Sequence, residues 1–460
     1  MMISLYIGAK LYDSNFEKIT QLISKRDDFD PDINDLISIV ISLYLDQNNA
    51  VNFVVTSSGV QTDSKCTPEG TDDDWNAVWE SATSIDKDGW NMEMKIPYSA
   101  LRFSTATIQD WGFNIGRHIN KNNEWSNWNY ANNQTGEFYN YYGILKGFSD
   151  IKPPVRLSFT PYVSSYAEKK PNENWGQSHN IGMDLKYGIN ESFTLDAILI
   201  PDFGQVQSDD EELNLSPYEI KYNEKRQFFT EGTELFGKGN IFYSRRIGSR
   251  PSGFYNVKHQ LKENEKILDN PIETKLINAI KVSGRTKNGL GLGVFNAMTS
   301  QTEAEVKNQE TDKTRKIETQ GFTNFNLVVF DKLLAENSYF SVINTNVKRE
   351  DFIANVTATE FKIADKKNNY AVNDTGAISF RDDNNKVDTG YAIGLVAGKL
   401  NGKFKYQYSL YIHSEKYNPN DMGYLRRNNE MTNQVRFDYN IYKPFRNFLT
   451  IPQTTTLIVS

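Results

Sequence analysis

The stretch Asn223 to Phe236, NEKRQFFTEGTELF, sets Glu224, Glu231 and Glu234 beside Lys225 and Arg226, and YSRRIG follows with Arg245 and Arg246. Two chemistries could use such a set. Two carboxylates flanking a glycosidic bond, about 5 Å or 6.5–9.5 Å apart, would hydrolyse it, and Glu224 with Glu231 is the most tempting pair. The adjacent lysine and arginine argue instead for an ion network, because ion pairing depresses a carboxyl pKa where an acid catalyst needs it raised. The chain holds 58 acidic residues and no other pair stands out, so no catalytic residue is assigned.

Sugar recognition needs an aromatic platform ringed by hydrogen-bonding side chains. Trp125 and Trp128 in NEWSNWNY meet that need, with Asn122, Asn123, Asn127 and Asn129 around them. Trp75 and Trp79 in DDDWNAVWE form a second candidate pair. Trp90 and Trp111 sit in strand patterns and belong to a core, which is the ordinary use of any large aromatic.

Metal chemistry is poorly provided for. Cys66 is the single cysteine, and His118, His179, His259 and His413 are scattered, so neither a disulfide framework nor a thiolate zinc cage is expected. DDFDPDIND places Asp28, Asp30 and Asp32 alternately, as a calcium loop does, but lacks the glycine and closing glutamate. Calcium is therefore the one weak cofactor candidate, and a solvated acidic turn is the simpler reading. Ser244 precedes arginines and makes no nucleophile elbow. GLGLG at Gly289–Gly293 has no helix after it and suits a strand with a small inward face rather than a phosphate loop. The net charge of −7, with no basic stripe, argues against nucleic acid.

The elements that must position these residues change character along the chain. Its 460 residues predict two domains. Six of the seven tryptophans lie at or before Trp128 and the last is Trp175, so the boundary is set near Lys152-Pro153-Pro154, giving domains 1–152 and 153–460. The first reads as short strands at Asn52–Thr56, Gly89–Ile96, Trp111–His118 and Tyr142–Gly147, with a helix at Phe16–Ser24. Trp90, Met92, Met94 and Ile96 share one strand face. This is the grammar of a jelly-roll-like β-sandwich.

The second domain reads as about a dozen longer alternating strands. Leu157, Phe159 and Val163; Ile181, Met183, Leu185 and Tyr187; Phe404, Tyr406, Tyr408 and Leu410; and Val435, Phe437 and Tyr439 each mark one apolar face. Strands of roughly nine to eleven residues cross a bilayer at a tilt, so a transmembrane antiparallel β-barrel is expected although no run of about 18 apolar residues exists. Half-buried strands of a soluble sandwich alternate too, but length and number favour the barrel. Asn288-Gly289 marks a tight hairpin turn, Asn190-Glu191 a short one, and Glu303–Lys316 a long charged loop. Residues 201–240 are too long and too charged for a turn. They are expected to fold inward, with Lys225 and Arg226 paired, Phe228 and Phe229 packed, and Arg245 and Arg246 facing the same network from the next strand. ISLYIGAKLYD at the start and FLTIPQTTTLIVS at the end read as strands, and truncation at both ends, with loss of a signal peptide, is expected.

PDFGQVQSDD, LSPYEIKYNEKRQFFTEGTELF and IFYSRRIG resemble the signature of a bacterial outer-membrane family known as domain of unknown function 5916. DDDWNAVWESATSIDKDGWNMEMKIPYSALRF and WGFNIGRHI resemble its N-terminal part, a sandwich related to family 9 carbohydrate-binding modules. Such proteins are typical of Bacteroidota. The resemblance implies an outer-membrane location, contact with membrane lipid, and a carbohydrate or polysaccharide partner bound or handled at the envelope. Two alternatives stand beside that: a glycoside hydrolase acting on O-glycosyl bonds in carbohydrate catabolism, and a structural or docking component of an envelope complex with protein partners.

Overall fold

A computed structural model describes residues 4–28, 30–43, 50–67, 70–73, 75, 77–101, 103, 108–130, 141–149, 151, 156–168, 176–190, 192–201, 213–230, 234–286, 288–335, 338–366, 369–441 and 451–459. The chain divides into two compact units, Met1–Arg156 and Leu157–Ser460. Lys152-Pro153-Pro154 and Trp175 lie outside the described residues.

The first unit holds β1 (Ser4–Tyr12), β2 (Leu36–Ser42), β3 (Ala50–Thr56), β4 (Gln61–Thr67), β5 (Gly70–Asp72), β6 (Glu80–Asp86), β7 (Gly89–Pro97), β8 (Ile108–Ile119), β9 (Glu124–Asn127) and β10 (Gly143–Ser149). One sheet runs β1-β7-β6. The other runs β10-β8-β2-β3-β4-β5, with β9 added on β8. The period of two in GWNMEMKIP buries Trp90, Met92, Met94 and Ile96, which share one core with Ile37, Ile39 and Ile41 of β2 and with Phe53 of β3. Trp111 joins them from β8. So do Trp75 and Trp79, which are 9% and 4% exposed. Phe53 packs edge-on to both rings, and the Trp79 indole donates to buried Asp63 at 3.1 Å. These two tryptophans are core, not a sugar platform.

The helix expected at Phe16–Ser24 is only a 3-10 turn, Phe16–Lys18. Beyond it the backbone is claimed from outside. Asp35 accepts from the Thr20 N–H, and Ser57 and Ser58 donate to the carbonyls of Thr20 and Leu22. Partners on other parts of the chain outcompete a short amphipathic helix.

The second unit holds β11 (Leu157–Glu168), β12 (Gly176–Gly188), β13 (Phe193–Leu199), β14 (Glu265–Asp269), β15 (Leu276–Arg285), β16 (Leu290–Thr299), β17 (Thr302–Asn308), β18 (Thr314–Gln320), β19 (Thr323–Ala335), β20 (Ser338–Arg349), β21 (Phe352–Ala364), β22 (Tyr370–Asp383), β23 (Lys386–Lys399), β24 (Phe404–His413), β25 (Glu430–Ile441) and β26 (Ile451–Val459). Thirteen of them form one antiparallel sheet in which neighbours in sequence order pair in space, from β11 to β26. No pairing joins β11 to β26 among the described residues. β14, β17 and β18 make a separate three-stranded sheet, so Glu303–Lys316 is largely a hairpin, tied by Lys316 to Glu303 at 2.8 Å, rather than a loop. Alternating Ala304 and Val306, buried with Ile317 and Val257, supply its own small core.

Successive antiparallel strands turn at alternate rims. One rim carries the short connections 189–192, 286–289, 365–369 and 400–403. The other carries 200–275, 300–322 and 414–429, with two tight turns at 350–351 and 384–385. At the Asn288-Gly289 turn Gly289 has φ +74°, and a Cβ there would lie 2.7 Å from Leu333, so glycine is required twice over.

The two faces of the large sheet differ in kind, the outward one mixing exposed apolar side chains with amides paired to one another, Asn296 to Asn326 at 2.8 Å and Asn344 to Asn355 at 3.0 Å. Ile280, Leu292, Val294, Val328, Ile378 and Ile393 stand exposed on the outward face, in the middle of their strands. Exposed aromatics of that face gather toward the short-turn rim, at Tyr187, Phe340, Tyr370, Phe404, Tyr406, Phe437 and Tyr439, while Phe380 and Tyr391 stand on it in β22 and β23. Inward residues of eight neighbouring strands, β13 to β23, join one core with Phe229, Leu235, Phe236, Ile241 and Ile247 of the β13–β15 connection. Eight strands about 4.8 Å apart would be roughly 34 Å wide if flat, so the sheet curves around that segment. β16 is fitted to it: a Cβ at Gly291 would lie 2.9 Å from Leu235 and one at Gly293 2.8 Å from Phe236. The GLGLG pattern is thus a strand whose glycine face receives two apolar side chains.

Gly293→Val should destabilise the second unit by about 1–3 kcal/mol through overpacking. Adding Phe236→Leu should recover part of the loss. Thermal unfolding of the detergent-solubilised chain reads both, and an unchanged midpoint in Gly293→Val would mean that Phe236 does not pack on β16.

Candidate functional site

The β13–β15 connection is where the charged stretch lies. Glu224 and Arg226 form a fork: Nε donates to Oε1 at 2.8 Å and Nη2 to Oε2 at 2.6 Å. The same guanidinium donates to the carbonyls of Ile247 at 2.8 Å and Ser244 at 2.9 Å. Glu224 also accepts from the Ser244 hydroxyl at 2.6 Å and from the backbone N–H groups of Lys225 and Arg226. Planar bidentate pairing with every remaining lone pair used is the geometry that repays desolvation of a buried pair. Arg226 also lies 4.2 Å from the centre of the Phe229 ring.

Arg245 donates to the Asn223 carbonyl at 3.1 Å and lies 3.9 Å from Glu224. Arg246 forks onto Glu219 at 2.9 and 2.8 Å and donates to the Gly423 carbonyl at 2.9 Å. Both stand on a 3-10 turn, Ser244–Arg246, and not on a strand. No neighbouring strand offers a ladder there, and Arg226 takes the carbonyls that a ladder would need. Glu231 lies outside the described residues, as do Asp202 and Asp209-Asp210-Glu211-Glu212.

Burial pushes the Glu224 carboxyl up, but the Arg226 hydrogen bond and charge and the Ser244 hydroxyl outweigh it, leaving it below the ordinary glutamate value. A carboxylate held ionised this way is a brace, not a proton donor.

Deeper anchors escaped the sequence reading. Lys238 is 4% exposed, lies 3.7 Å from Asp331 on β19 and sits 3.8 Å over the Tyr339 ring. Asp331 also takes Arg285 of β15 and the Ser341 hydroxyl of β20, and Arg285 lies 3.4 Å from Glu234. The Gly239 N–H donates to Glu360 of β21 at 2.8 Å. The β24–β25 connection folds in too: the Met422 carbonyl accepts from the Tyr243 N–H at 2.8 Å, and Asp421 meets Arg381 of β22 at 3.3 Å. A charged residue interrupting the inward row of a strand, as Asp331 does after Phe325, Leu327 and Val329, was the available signal.

In the first unit Trp125 and Trp128 are 46% and 60% exposed. Trp125 follows the tight turn at Asn120–Asn122, where Asn123 has φ +48°, and its ring tilts onto buried His118 at 4.9 Å. His118 is fixed by the Asn34 carbonyl at 2.7 Å. Trp128 lies across β10, since a Cβ at Gly143 would come within 2.6 Å of its ring. Asn127 stands over Gly116. Asn129 is pinned through its backbone by the Asn114 side chain, which accepts from its N–H at 2.9 Å. Asn122 donates to Glu124 at 3.4 Å. A Cβ at Gly112 would come within 2.6 Å of the Tyr142 ring, so Tyr142 adds a third aromatic. The spacing Gly112-x3-Gly116 puts both glycines on one strand face, which is the signal for a flat floor beneath rings. Trp125, Asn127 and Tyr142 share the Gly112–Gly116 face of β8, whereas Trp128 packs edge-on at 6.2 Å against Phe113 of the opposite face, so the two tryptophans do not form one platform.

Asp30 of the acidic turn accepts from the Asp32 N–H at 2.9 Å, capping a 3-10 turn. No group of three or more metal-ligating side chains gathers among the described residues, and no helix there is long and apolar enough to cross a membrane.

The chain belongs to the family described as domain of unknown function DUF5916, whose model matches residues 153–459. No curated protein matches it. Among solved structures it is similar to the outer-membrane protein OpdK of Pseudomonas aeruginosa. The form with vanillate is 9% identical, with 88% of this chain and 76% of that one covered and a TM-score of 0.27. A second OpdK structure is 10% identical over the same shares, with a TM-score of 0.26. A likeness this slight carries no argument.

Arg226→Ala should loosen the connection by about 3–5 kcal/mol, because it strands a buried carboxylate, and Glu224→Gln with Arg226→Ala should cost less. The native pKa of Glu224 lies below its unfolded value. Its contribution is therefore full above about pH 4.3 and is lost as pH falls through the lowered native value. Limited proteolysis between 213 and 264 measures both effects.

Proposed function

We propose that this member of the family is an outer-membrane β-barrel protein whose lumen is braced by its own loops and whose N-terminal sandwich binds a glycan of the cell envelope. The observation that carries the membrane reading is the outward face of the large sheet. Exposed aliphatic side chains such as Ile280, Val294, Val328, Ile378 and Ile393 stand on it, and aromatics gather at the short-turn rim, as in a lipid-facing band with an interfacial girdle, although amide side chains from Asn296 to Asn355 interrupt it. Lipid is the partner that satisfies it. Water would not, since so broad an apolar surface is far beyond what a soluble monomer exposes.

The rims give the orientation. Bacterial barrels keep short turns on the periplasmic side and long loops outside. The chain enters β11 at the short-turn rim, so the residues before Leu157 are periplasmic in this reading.

Exposed Trp125, with Asn127 and Tyr142 on the same strand face, supports glycan binding by the sandwich, and Trp128 with Asn129 offers a second exposed ring on the opposite face. Hydrolysis gains no support from Glu224, which is held ionised by Arg226. Tryptophan fluorescence of the full chain in detergent micelles, titrated with soluble oligosaccharides, tests the binding. A saturable change with one sugar class is expected, and Trp125→Ala or Trp128→Ala should weaken it at least tenfold, about 1.4 kcal/mol. A flat response across the panel would leave the sandwich as a docking domain for an envelope protein. In intact cells a protease site placed at Thr311 should be cut, while one in the sandwich should be protected.

A further inference from the structure

The long-connection rim holds a cluster that the brace does not use. Lys221 and Arg426 are exposed, and neither has a carboxylate within ion-pair distance among the described residues. Every arginine of the brace, by contrast, meets a carboxylate: Arg226, Arg245, Arg246 and Arg285. The two cations lie on tyrosine rings instead. Lys221 Nζ is 5.5 Å from the centre of the Tyr424 ring and 5.9 Å from that of Tyr243. The Arg426 guanidinium is 4.5 Å from that of Tyr218.

Two of the three rings are fixed. Tyr243 exchanges two hydrogen bonds of 3.0 Å with the backbone of Tyr222. Tyr424 donates to the Glu219 carbonyl at 2.7 Å, and its ring meets Tyr243 edge-on at 5.7 Å. The one carboxylate among them, Glu219, is neutralised by the Arg246 fork. Three segments, 218–222, 243–246 and 424–426, thus assemble two unspent positive charges on aromatic mounts, and all three come from connections at the same rim.

We propose that this mouth binds an acidic saccharide, its carboxylate taken by Lys221 and Arg426 and its apolar C–H face laid on the tyrosines. Each element of the cluster has a use in that ligand. Cations held in place on aromatic faces are positioned to pair with a carboxylate, Arg426 through two parallel hydrogen bonds. Aromatic rings take the flat apolar side of a pyranose. Two cations without a carboxylate partner among the described residues also attract anions locally on a chain of charge −7. The site is independent of the tryptophans of the sandwich.

The test uses the full chain in detergent micelles and titrates three probes by calorimetry: oligogalacturonate, its neutral methyl ester, and inorganic phosphate. Oligogalacturonate should bind saturably, at least tenfold more tightly than the ester and than phosphate. Lys221→Gln with Arg426→Gln should lower that affinity at least tenfold without moving the unfolding midpoint, and Lys221→Arg should retain it. Trp125→Ala with Trp128→Ala should leave it unchanged. Equal binding of the ester, phosphate binding as tight as the oligomer, no binding at all, or an unaffected double glutamine variant would each overturn the proposal.

Discussion

The fork between Arg226 and Glu224 is the contact on which the packing of the β13–β15 connection against the sheet depends. It joins residues two apart in sequence to the carbonyls of Ser244 and Ile247, and so closes the chain on itself across the intervening turn. Only with that loop closed do Phe229, Leu235 and Phe236 all face the sheet. A buried ion pair adds little net stability by itself, since desolvation cancels much of the attraction. Its value here is geometric. Every alternative path for this segment would leave a carboxylate or a guanidinium buried alone.

A second constraint is that the large sheet carries apolar side chains on both sides. The outward side can be satisfied by lipid, the inward side cannot. β16 shows how the chain meets this: Leu292 and Val294 point out, while Gly291 and Gly293 open space for side chains of the connection. Charge then sets the depth. Lys238, Arg285 and Asp331 form a low anchor, and Arg246 with Gly423 a high one. Apolar packing supplies the attraction, and the ion pairs select one register from the many that packing alone would allow.

The parts of this arrangement that could be read in the sequence are those with a short period. Alternation in β11, β12, β24 and β25 is explicit because each side chain's direction follows from its neighbour's. Gly289 is legible because its turn admits little else. What could not be read was decided by partners distant in the chain. Trp75 and Trp79 are spaced much as Trp125 and Trp128 are, yet Phe53 and Asp63 draw the first pair inside. The periodic stretch Phe16–Ser24 lost its helix to Asp35, Ser57 and Ser58. Arg245 and Arg246 read as strand residues because nothing local reveals that Arg226 takes the carbonyls around them.

The bracing segment is tethered at both ends to paired neighbours, β13 and β15, and the Ile200 N–H still bonds the Ile277 carbonyl at 2.8 Å where the strands part. A domain at the end of a chain can be drawn out of a barrel like a cork. This segment cannot, because withdrawing it would pull on two strands of the wall at once. The segment is thus held twice over, by the ladder of β13 and β15 at its base and by the fork and the Asp331 cluster along its length.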